Sequence, residues 1–271
     1  MSGPSPARPK RSLGQNFLVD PNLQKKIVSA LGAKSTDEVV EIGPGRGALT
    51  HHLMGTVGRL VLVELDNELA AWWTAEAAGR DEVQVVHGDV LEQPFWQHVR
   101  DPSRALVVGN IPYNITSPII FRLLKRPRPR EIVLMVQREV ADRITARVGS
   151  KAYGALAVGV RSVAKAERLF GVGRKAFRPI PGVDSAVIRI TPLKPEPLVV
   201  ADEERLRGLV RAVFQWRRKQ LGKILRDHPD LLVPSGQLGA IAESVGFDLA
   251  DRPERLSPDD FIRLAAALPS F

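Results

Sequence analysis

Short apolar runs alternate with helix-forming stretches over the first half of the chain. Five such runs end in turn-forming or polar residues, at residues 38–42, 60–64, 83–86, 105–109 and 131–137. Continuous apolar runs of this length are typical of parallel strands that are buried on both faces. The intervening stretches, such as residues 68–78 and 119–124, are assigned to crossover helices. The pattern therefore predicts an α/β fold with a doubly wound parallel sheet.

The second half of the chain changes character near residue 195. Residues 185–190 read as a further strand, and the apolar run at residues 158–163 is a candidate to join it as an antiparallel edge. Pro192, Pro195 and Pro197 then interrupt both helix and strand, and the patterns after them are helical. We predict a flexible basic arm at residues 1–12, an α/β domain at 13–195 and a small all-α domain at 196–271.

Composition limits the chemistry that the chain can perform. The 271 residues include no cysteine, which excludes disulfides and thiol catalysis and fits a cytoplasmic protein. No apolar run approaches the roughly 18–20 residues of a membrane span, and the first residues do not resemble a secretory signal. We expect a monomer that uses neither a membrane nor a metal.

Charge is distributed unevenly along the chain. Residues 33–95 carry four Lys or Arg against eleven Asp or Glu, although the whole chain has a net charge of +9. The remainder is therefore strongly basic, and we expect it to dock on a polyanion. Within it, residues 205–226 contain eight Lys or Arg and no acid. The predicted RNA contacts from this segment are Arg211, Arg217, Arg218, Lys219 and Lys223.

The ends of three predicted strands carry residues suited to a small cofactor. The first strand runs through Glu41 into a turn that contains Gly43, Gly45 and Gly47. This spacing differs from the pyrophosphate-binding pattern of NAD enzymes, and Glu41 would repel a pyrophosphate but attract a sulfonium or an ammonium group. Glu64 could accept the ribose hydroxyls, and Asp89 could accept the adenine amine. The pattern favours S-adenosylmethionine, with an NAD-dependent dehydrogenase as the alternative.

The fourth strand ends in Asn-Ile-Pro-Tyr-Asn at residues 110–114, which suits methylation of an adenine amine. The N6 lone pair is delocalised into the ring, so two acceptors on its hydrogens would free it for attack. Asn110 and the carbonyl of Pro112 are candidates for these acceptors, and Tyr113 could stack on the base. Phe177 could cover the other face of the base, although a core phenylalanine is the alternative interpretation.

These segments resemble the KsgA (RsmA) family of ribosomal RNA adenine dimethyltransferases. The resemblance spans the chain from about residue 9 and depends most on Gly-Gln-Asn-Phe-Leu at residues 14–18, together with residues 110–114. It implies a Rossmann-like methyltransferase sheet and S-adenosylmethionine as the cofactor, with S-adenosylhomocysteine as the product. It also implies two sets of site residues. The implied cofactor contacts are Asn16, Leu18, Gly43, Gly45, Glu64, Asp89 and Asn110, and the implied target-base pocket is Asn110, Pro112, Tyr113 and Phe177.

The resemblance implies that two adjacent adenosines in a hairpin near the 3′ end of 16S rRNA are dimethylated, and the expected substrate is an immature small subunit. Alternatives are a large-subunit rRNA adenine methyltransferase, a DNA adenine methyltransferase and a ribosome-assembly factor without catalytic activity. Intact Asn110, Tyr113, Glu64 and Asp89 argue against loss of catalysis.

Overall fold

The computed structural model describes residues 9–10 and 13–269, so most of the predicted basic arm at residues 1–12 lies outside the described residues. The chain forms two compact units. Of the described residues, the first unit contains those up to 141 together with 167–192, and the second contains 142–166 and 193–269. No described helix has both the length and the apolar composition required to cross a bilayer.

The first unit is built on a seven-stranded sheet. The strands of the described residues are β1 (Phe17–Leu18), β2 (Glu38–Ile42), β3 (Arg59–Glu64), β4 (Val83–His87), β5 (Leu106–Asn110), β6 (Glu131–Gln137), β7 (Ala164–Val172), β8 (Phe177–Arg178) and β9 (Ser185–Pro192). The main sheet has the order β4-β3-β2-β5-β6-β9-β7, and β1 pairs with β8 in a separate two-stranded sheet. The pairs from β4 to β6 are parallel, whereas β9 runs antiparallel to β6. This confirms the predicted doubly wound sheet and its antiparallel edge.

Ten α-helices complete the described chain. They are α1 (Pro21–Leu31), α2 (Thr50–Leu53), α3 (Asn67–Glu76), α4 (Thr116–Leu123), α5 (Arg138–Ile144), α6 (Ala155–Arg161), α7 (Val200–Gln215), α8 (Leu221–Asp227), α9 (Leu238–Val245) and α10 (Pro258–Ala267). Local sequence sets several of their starts. Asp20 caps α1, Asp66 caps α3, and Ser257 and Asp260 form a capping box at the start of α10.

The predicted strand at residues 158–163 is wrong. Residues up to Arg161 belong to α6, and the edge strand β7 begins only at Ala164. Leu156, Ala157, Val158 and Val160 are all buried in this short helix, so its apolar run lacks a polar face. A buried helix of seven residues and a buried strand give the same apolar signal, because periodicity cannot separate them at that length.

The second unit has an all-α C-terminal part, as predicted. Its core joins residues of α7, α8, α9 and α10 to Tyr153 and Val158. The fully buried hydroxyl of Tyr153 donates to the carbonyl of Leu256 at 2.8 Å. These contacts explain why residues 142–166 group with the C-terminal helices, whereas the predicted ranges placed them in the α/β domain. That the C-terminal helices form an RNA-binding domain stays a prediction.

Candidate active site

A cavity of about 390 Å³ opens in the first unit where β2, β3, β4 and β5 end. The strand order reverses between β2 and β5, and such a reversal is where open α/β sheets bind ligands. The predicted residues that line this cavity are Asn16, Leu18, Gly43, Gly45, Glu64, Asp89, Asn110, Pro112 and Tyr113. The fold therefore brings together residues from five separate segments of the chain.

The glycine-rich turn after β2 forms one wall of the cavity. Gly43, Gly45 and Gly47 have φ values of 66°, 53° and 85°, in the left-handed region that favours glycine. A Cβ atom on Gly45 would lie only 3.0 Å from the ring of Phe17. The turn therefore depends on glycine both for its backbone conformation and for its close packing against residues 13–19, here called the N-terminal segment.

Glu64 holds this turn in place. Its Oε2 accepts from the Gly45 amide at 3.0 Å, and its Oε1 accepts from the Asp66 amide at 2.9 Å. Burial raises the pKa of Glu64, and these backbone hydrogen bonds counter the rise. A carboxylate offers about four acceptor positions. Glu64 therefore keeps the capacity to accept hydroxyl groups of a ligand while it fixes the turn.

Glu41 lies deeper in the same wall. It is 2 % exposed, and among the described residues its Oε2 has no hydrogen-bond partner. Burial raises the pKa of Glu41 to about 8, and the nearby charge of Glu64 adds to the rise. Glu41 can therefore attract a cation, as its place in the sequence suggested, only after the carboxyl has lost its proton.

Asp89 contributes a third carboxylate, after the end of β4. Its Oδ1 accepts from the Leu91 amide at 2.8 Å, which fixes the side chain at the cavity wall. The second oxygen of this carboxylate is available to accept a hydrogen bond from a ligand. Glu64 thus ends β3, and Asp89 follows β4, which pairs with β3. The sequence predicted that both lie at strand ends.

Asn110 ends β5, and the N-terminal segment fixes its orientation. Its Nδ2 donates to the carbonyl of Asn16 at 2.8 Å. The side-chain oxygen is consequently the atom that remains to accept a hydrogen bond in the cavity. Sequence spacing gave no reason to connect Asn16 with Asn110, which lie 94 positions apart.

Pro112 and Tyr113 follow Asn110 and are both engaged within the protein. The Pro112 carbonyl accepts from the Ile115 amide at 3.3 Å and from the Thr116 hydroxyl at 3.2 Å. It is therefore not the unengaged acceptor that the sequence suggested, although both hydrogen bonds are long. The half-buried Tyr113 forms a 2.7 Å hydrogen bond between its hydroxyl and that of Ser185, and burial raises the pKa of Tyr113.

Phe177 does not line the cavity. Its side chain is fully buried, and its backbone pairs with Leu18 across the two-stranded sheet. It packs in the hydrophobic core of the first unit with residues of β2, β3 and β9. In this conformation Phe177 cannot stack on a base, and the alternative of a core phenylalanine describes its position.

Ion pairs that the sequence did not predict connect Lys10, near the start of the described chain, to two acidic residues just after β3. Lys10 Nζ contacts Asp66 at 2.9 Å and Glu68 at 3.0 Å, and Gln15 donates to Asp66 at 3.1 Å. Burial opposes ionisation of Asp66, but these hydrogen bonds lower its pKa overall. Residues 13–19, which lie between Lys10 and α1, form part of the cavity lining.

The predicted RNA contacts all lie in the second unit. Arg211 is on α7, Lys223 is on α8, and the interrupted stretch between these helices carries Arg217, Arg218 and Lys219. The basic segment at residues 205–226 is therefore not one continuous helix, since α7 ends at Gln215 and α8 begins at Leu221. Arg217 is half-buried, and its guanidinium lies 4.0 Å from Glu254. The other four are exposed, with no acidic partner within 4.0 Å among the described residues.

Comparison with known proteins identifies the family. A profile described as ribosomal RNA adenine dimethylase matches residues 7–268, nearly the whole chain. The chain belongs to the ribosomal RNA adenine dimethylase family. It is 40% identical to ribosomal RNA small subunit methyltransferase A of Geobacillus thermodenitrificans, over 96% of this chain and 90% of the relative. It is 44% identical to the protein of the same name from Maridesulfovibrio salexigens, over 94% and 93%.

Two solved structures agree with membership of this dimethylase family. A dimethyladenosine transferase from Plasmodium falciparum superposes with a TM-score of 0.78 at 27% identity, over 92% of this chain and 95% of that one. The 23S rRNA methyltransferase ErmE gives 0.69 at 27% identity, over 93% and 99%. The predicted Rossmann-like methyltransferase fold is confirmed. The enzyme is an S-adenosylmethionine-dependent rRNA adenine dimethyltransferase.

Proposed function

We propose that this dimethyltransferase modifies N6 of two adjacent adenosines in a hairpin near the 3′ end of 16S rRNA. The observation that carries the proposal is that Asn110 and Tyr113 line the same cavity as Glu64 and Asp89. Asn110 and Tyr113 are suited to an adenine amine, and Glu64 and Asp89 are suited to a nucleoside cofactor. A transfer reaction needs both ligands in contact, which a single cavity provides.

The residues of the cavity fit S-adenosylmethionine, which supplies an electrophilic methyl group when bound. Glu64 would accept the ribose hydroxyls, and Asp89 would accept the adenine amine of the cofactor. Glu41, when ionised, would face the positive charge of the ligand. The cofactor would also contact four residues of the N-terminal segment and the glycine-rich turn, which are Asn16, Leu18, Gly43 and Gly45. The volume of about 390 Å³ falls in the usual range for cofactor sites.

Catalysis rests on holding the target amine rather than on a strong base. Asn110 would accept one N6 hydrogen through its side-chain oxygen, because its Nδ2 is already committed to Asn16. The Pro112 carbonyl would accept the other hydrogen if the Thr116 hydroxyl turned toward the Tyr113 carbonyl, which lies 3.4 Å away. Tyr113 would stack on the base. The N6 lone pair would then bond to the methyl carbon as the bond from that carbon to sulfur breaks, with S-adenosylhomocysteine as the leaving group, and N6 would release one proton to water.

The RNA is expected to dock through the exposed cations of the second unit, chiefly Arg211, Arg218, Lys219 and Lys223. Lys and Arg that neutralise phosphates release counterions, which gives affinity without sequence preference. The relatives at 40–44% identity are named ribosomal RNA small subunit methyltransferase A, which supports the small subunit as the source of the substrate. We further propose that the enzyme acts as a cytoplasmic monomer on an immature small subunit, without a metal.

The deciding experiment compares candidate substrates under one set of conditions. Purified enzyme and labelled S-adenosylmethionine are incubated with immature small subunits, large-subunit rRNA and duplex DNA. Primer extension then locates the modified adenosines, since a dimethylated N6 blocks pairing. We expect two adjacent stops near the 3′ end of 16S rRNA and none with the Asn110→Ala variant. Label in 23S rRNA alone would support the large-subunit alternative, which the similarity to ErmE keeps open. Binding to small subunits without any label would support an assembly factor.

A further inference from the structure

Trp73 forms a second side-chain hydrogen bond to the glycine-rich turn of the cavity, in addition to that of Glu64. It lies on α3 and is fully buried. Its indole Nε1 donates to the Gly45 carbonyl at 2.9 Å, and no other described residue donates to that carbonyl. The Gly45 amide donates to Glu64 at the same time. The carbonyl and the amide of Gly45 are therefore both bound by side chains of the segment that runs from β3 into α3.

The conformation of the turn makes these hydrogen bonds consequential. Gly43, Gly45 and Gly47 all have left-handed φ values, so steric preference does little to fix the direction of the peptide groups. The turn also packs directly on the indole, because a Cβ atom on Gly47 would lie 2.9 Å from the Trp73 ring. The indole thus sets both the position of the turn and the direction of the Gly45–Arg46 peptide, whose carbonyl it binds.

We propose that Trp73 is a positioning residue for S-adenosylmethionine, acting through the Gly45 carbonyl and through the Gly45–Glu64 hydrogen bond. Loss of the indole N–H leaves the Gly45 carbonyl without a partner and frees the Gly45–Arg46 peptide to reorient. The N–H that donates to Glu64 belongs to the preceding Pro44–Gly45 peptide, which shares the Gly45 Cα atom. A change in the backbone dihedrals at Gly45 therefore shifts this N–H as well, so the carboxylate that should meet the ribose loses its orientation. The proposal rests on the cofactor site described above but not on the identity of the RNA.

The test removes the N–H and keeps the ring as far as possible. Trp73→Phe removes the donor and part of the ring, and replacement of Trp73 by 3-benzothienylalanine exchanges only the N–H for sulfur. We expect both to weaken S-adenosylhomocysteine binding about tenfold, measured by calorimetry without RNA, as for an acceptor left unpaired. In rRNA methylation the KM for S-adenosylmethionine should rise by a similar factor, with kcat within twofold.

The matched control is Trp72→Phe. Trp72 lies on the same helix, and its ring centroid is 4.4 Å from that of Trp73. This variant should bind S-adenosylhomocysteine as the wild type does. A purely structural role would lower the melting temperature of the Trp73 variants but leave the affinity of the folded enzyme unchanged. If Trp73→Phe does not fold, the benzothienylalanine variant decides alone. Affinity within twofold of wild type in that variant would overturn the proposal. Failure of the wild type to bind would overturn the cofactor site as well.

Discussion

Glu41→Gln tests the electrostatics of the cavity through the stability of the first unit. The pKa of Glu41 is raised to about 8 in the folded protein, mainly by burial, against 4.5 for an exposed carboxyl. Between these pH values the folded chain keeps a proton that the unfolded chain has released. The free energy of unfolding therefore falls as pH rises through this window.

The size of this effect follows from the two pKa values. From pH 5.5 to pH 8.0, Glu41 alone should remove about 3 kcal/mol from the free energy of unfolding. Gln keeps the shape of the side chain and cannot ionise, so the variant should lose less stability over the same interval. Glu64 acts in the same direction, because burial also raises its pKa, but it is present in both proteins.

Urea unfolding at pH 5.5 and pH 8.0, followed by tryptophan fluorescence, measures this difference. Three of the four tryptophans, Trp72, Trp73 and Trp96, lie in the first unit and report on it. Glu76→Gln, an exposed change on α3, should match the wild type at both pH values. If the stability of Glu41→Gln differed from that of the wild type by the same amount at both pH values, the reasoning about burial would be refuted.

Three further changes probe the rest of the site. Asn110→Ala should lower methyl transfer at least about 100-fold, whereas S-adenosylhomocysteine binding by calorimetry should change much less; full turnover would remove Asn110 from the mechanism. Tyr113→Ala should raise the KM for rRNA about tenfold, because a stacking surface is lost. Tyr113→Phe keeps the ring and loses only the hydrogen bond to Ser185, so similar KM values for the two variants would argue against stacking. Arg218→Ala combined with Lys219→Ala should weaken rRNA binding and reduce its salt slope by about 1.5; an unchanged slope in filter binding would exclude both from phosphate contacts.

The sheet could be predicted because its signals are local. The bounds of β2 and β6 match the apolar runs at residues 38–42 and 131–137, since strands buried on both faces show no polar alternation. The same rule failed for α6, because this short buried helix also lacks a polar face. Length was the only available discriminator, and seven residues suit either structure.

The site residues at strand ends could be predicted because their positions follow from the sheet. Glu64, Asp89 and Asn110 each end or follow a parallel strand, and the carboxyl ends of parallel strands meet at one edge. Their proximity therefore follows once the strands are known. Phe177 and Asp66 differ, because their surroundings depend on the N-terminal segment, through pairing with Leu18 and contact with Lys10. No periodic pattern connects those parts of the chain.

The N-terminal segment links these observations into one account of the cavity. It supplies the Asn16 carbonyl that orients Asn110, and it supplies the Phe17 ring that packs against Gly45. The Lys10 contact with Asp66 anchors the same segment next to Glu64. One segment therefore contacts both the residues that would hold the target amine and those that would hold the cofactor. A displacement of this segment should disturb both halves of the site, because Asn110 would lose the bond that aims its oxygen and the glycine turn would lose its cover.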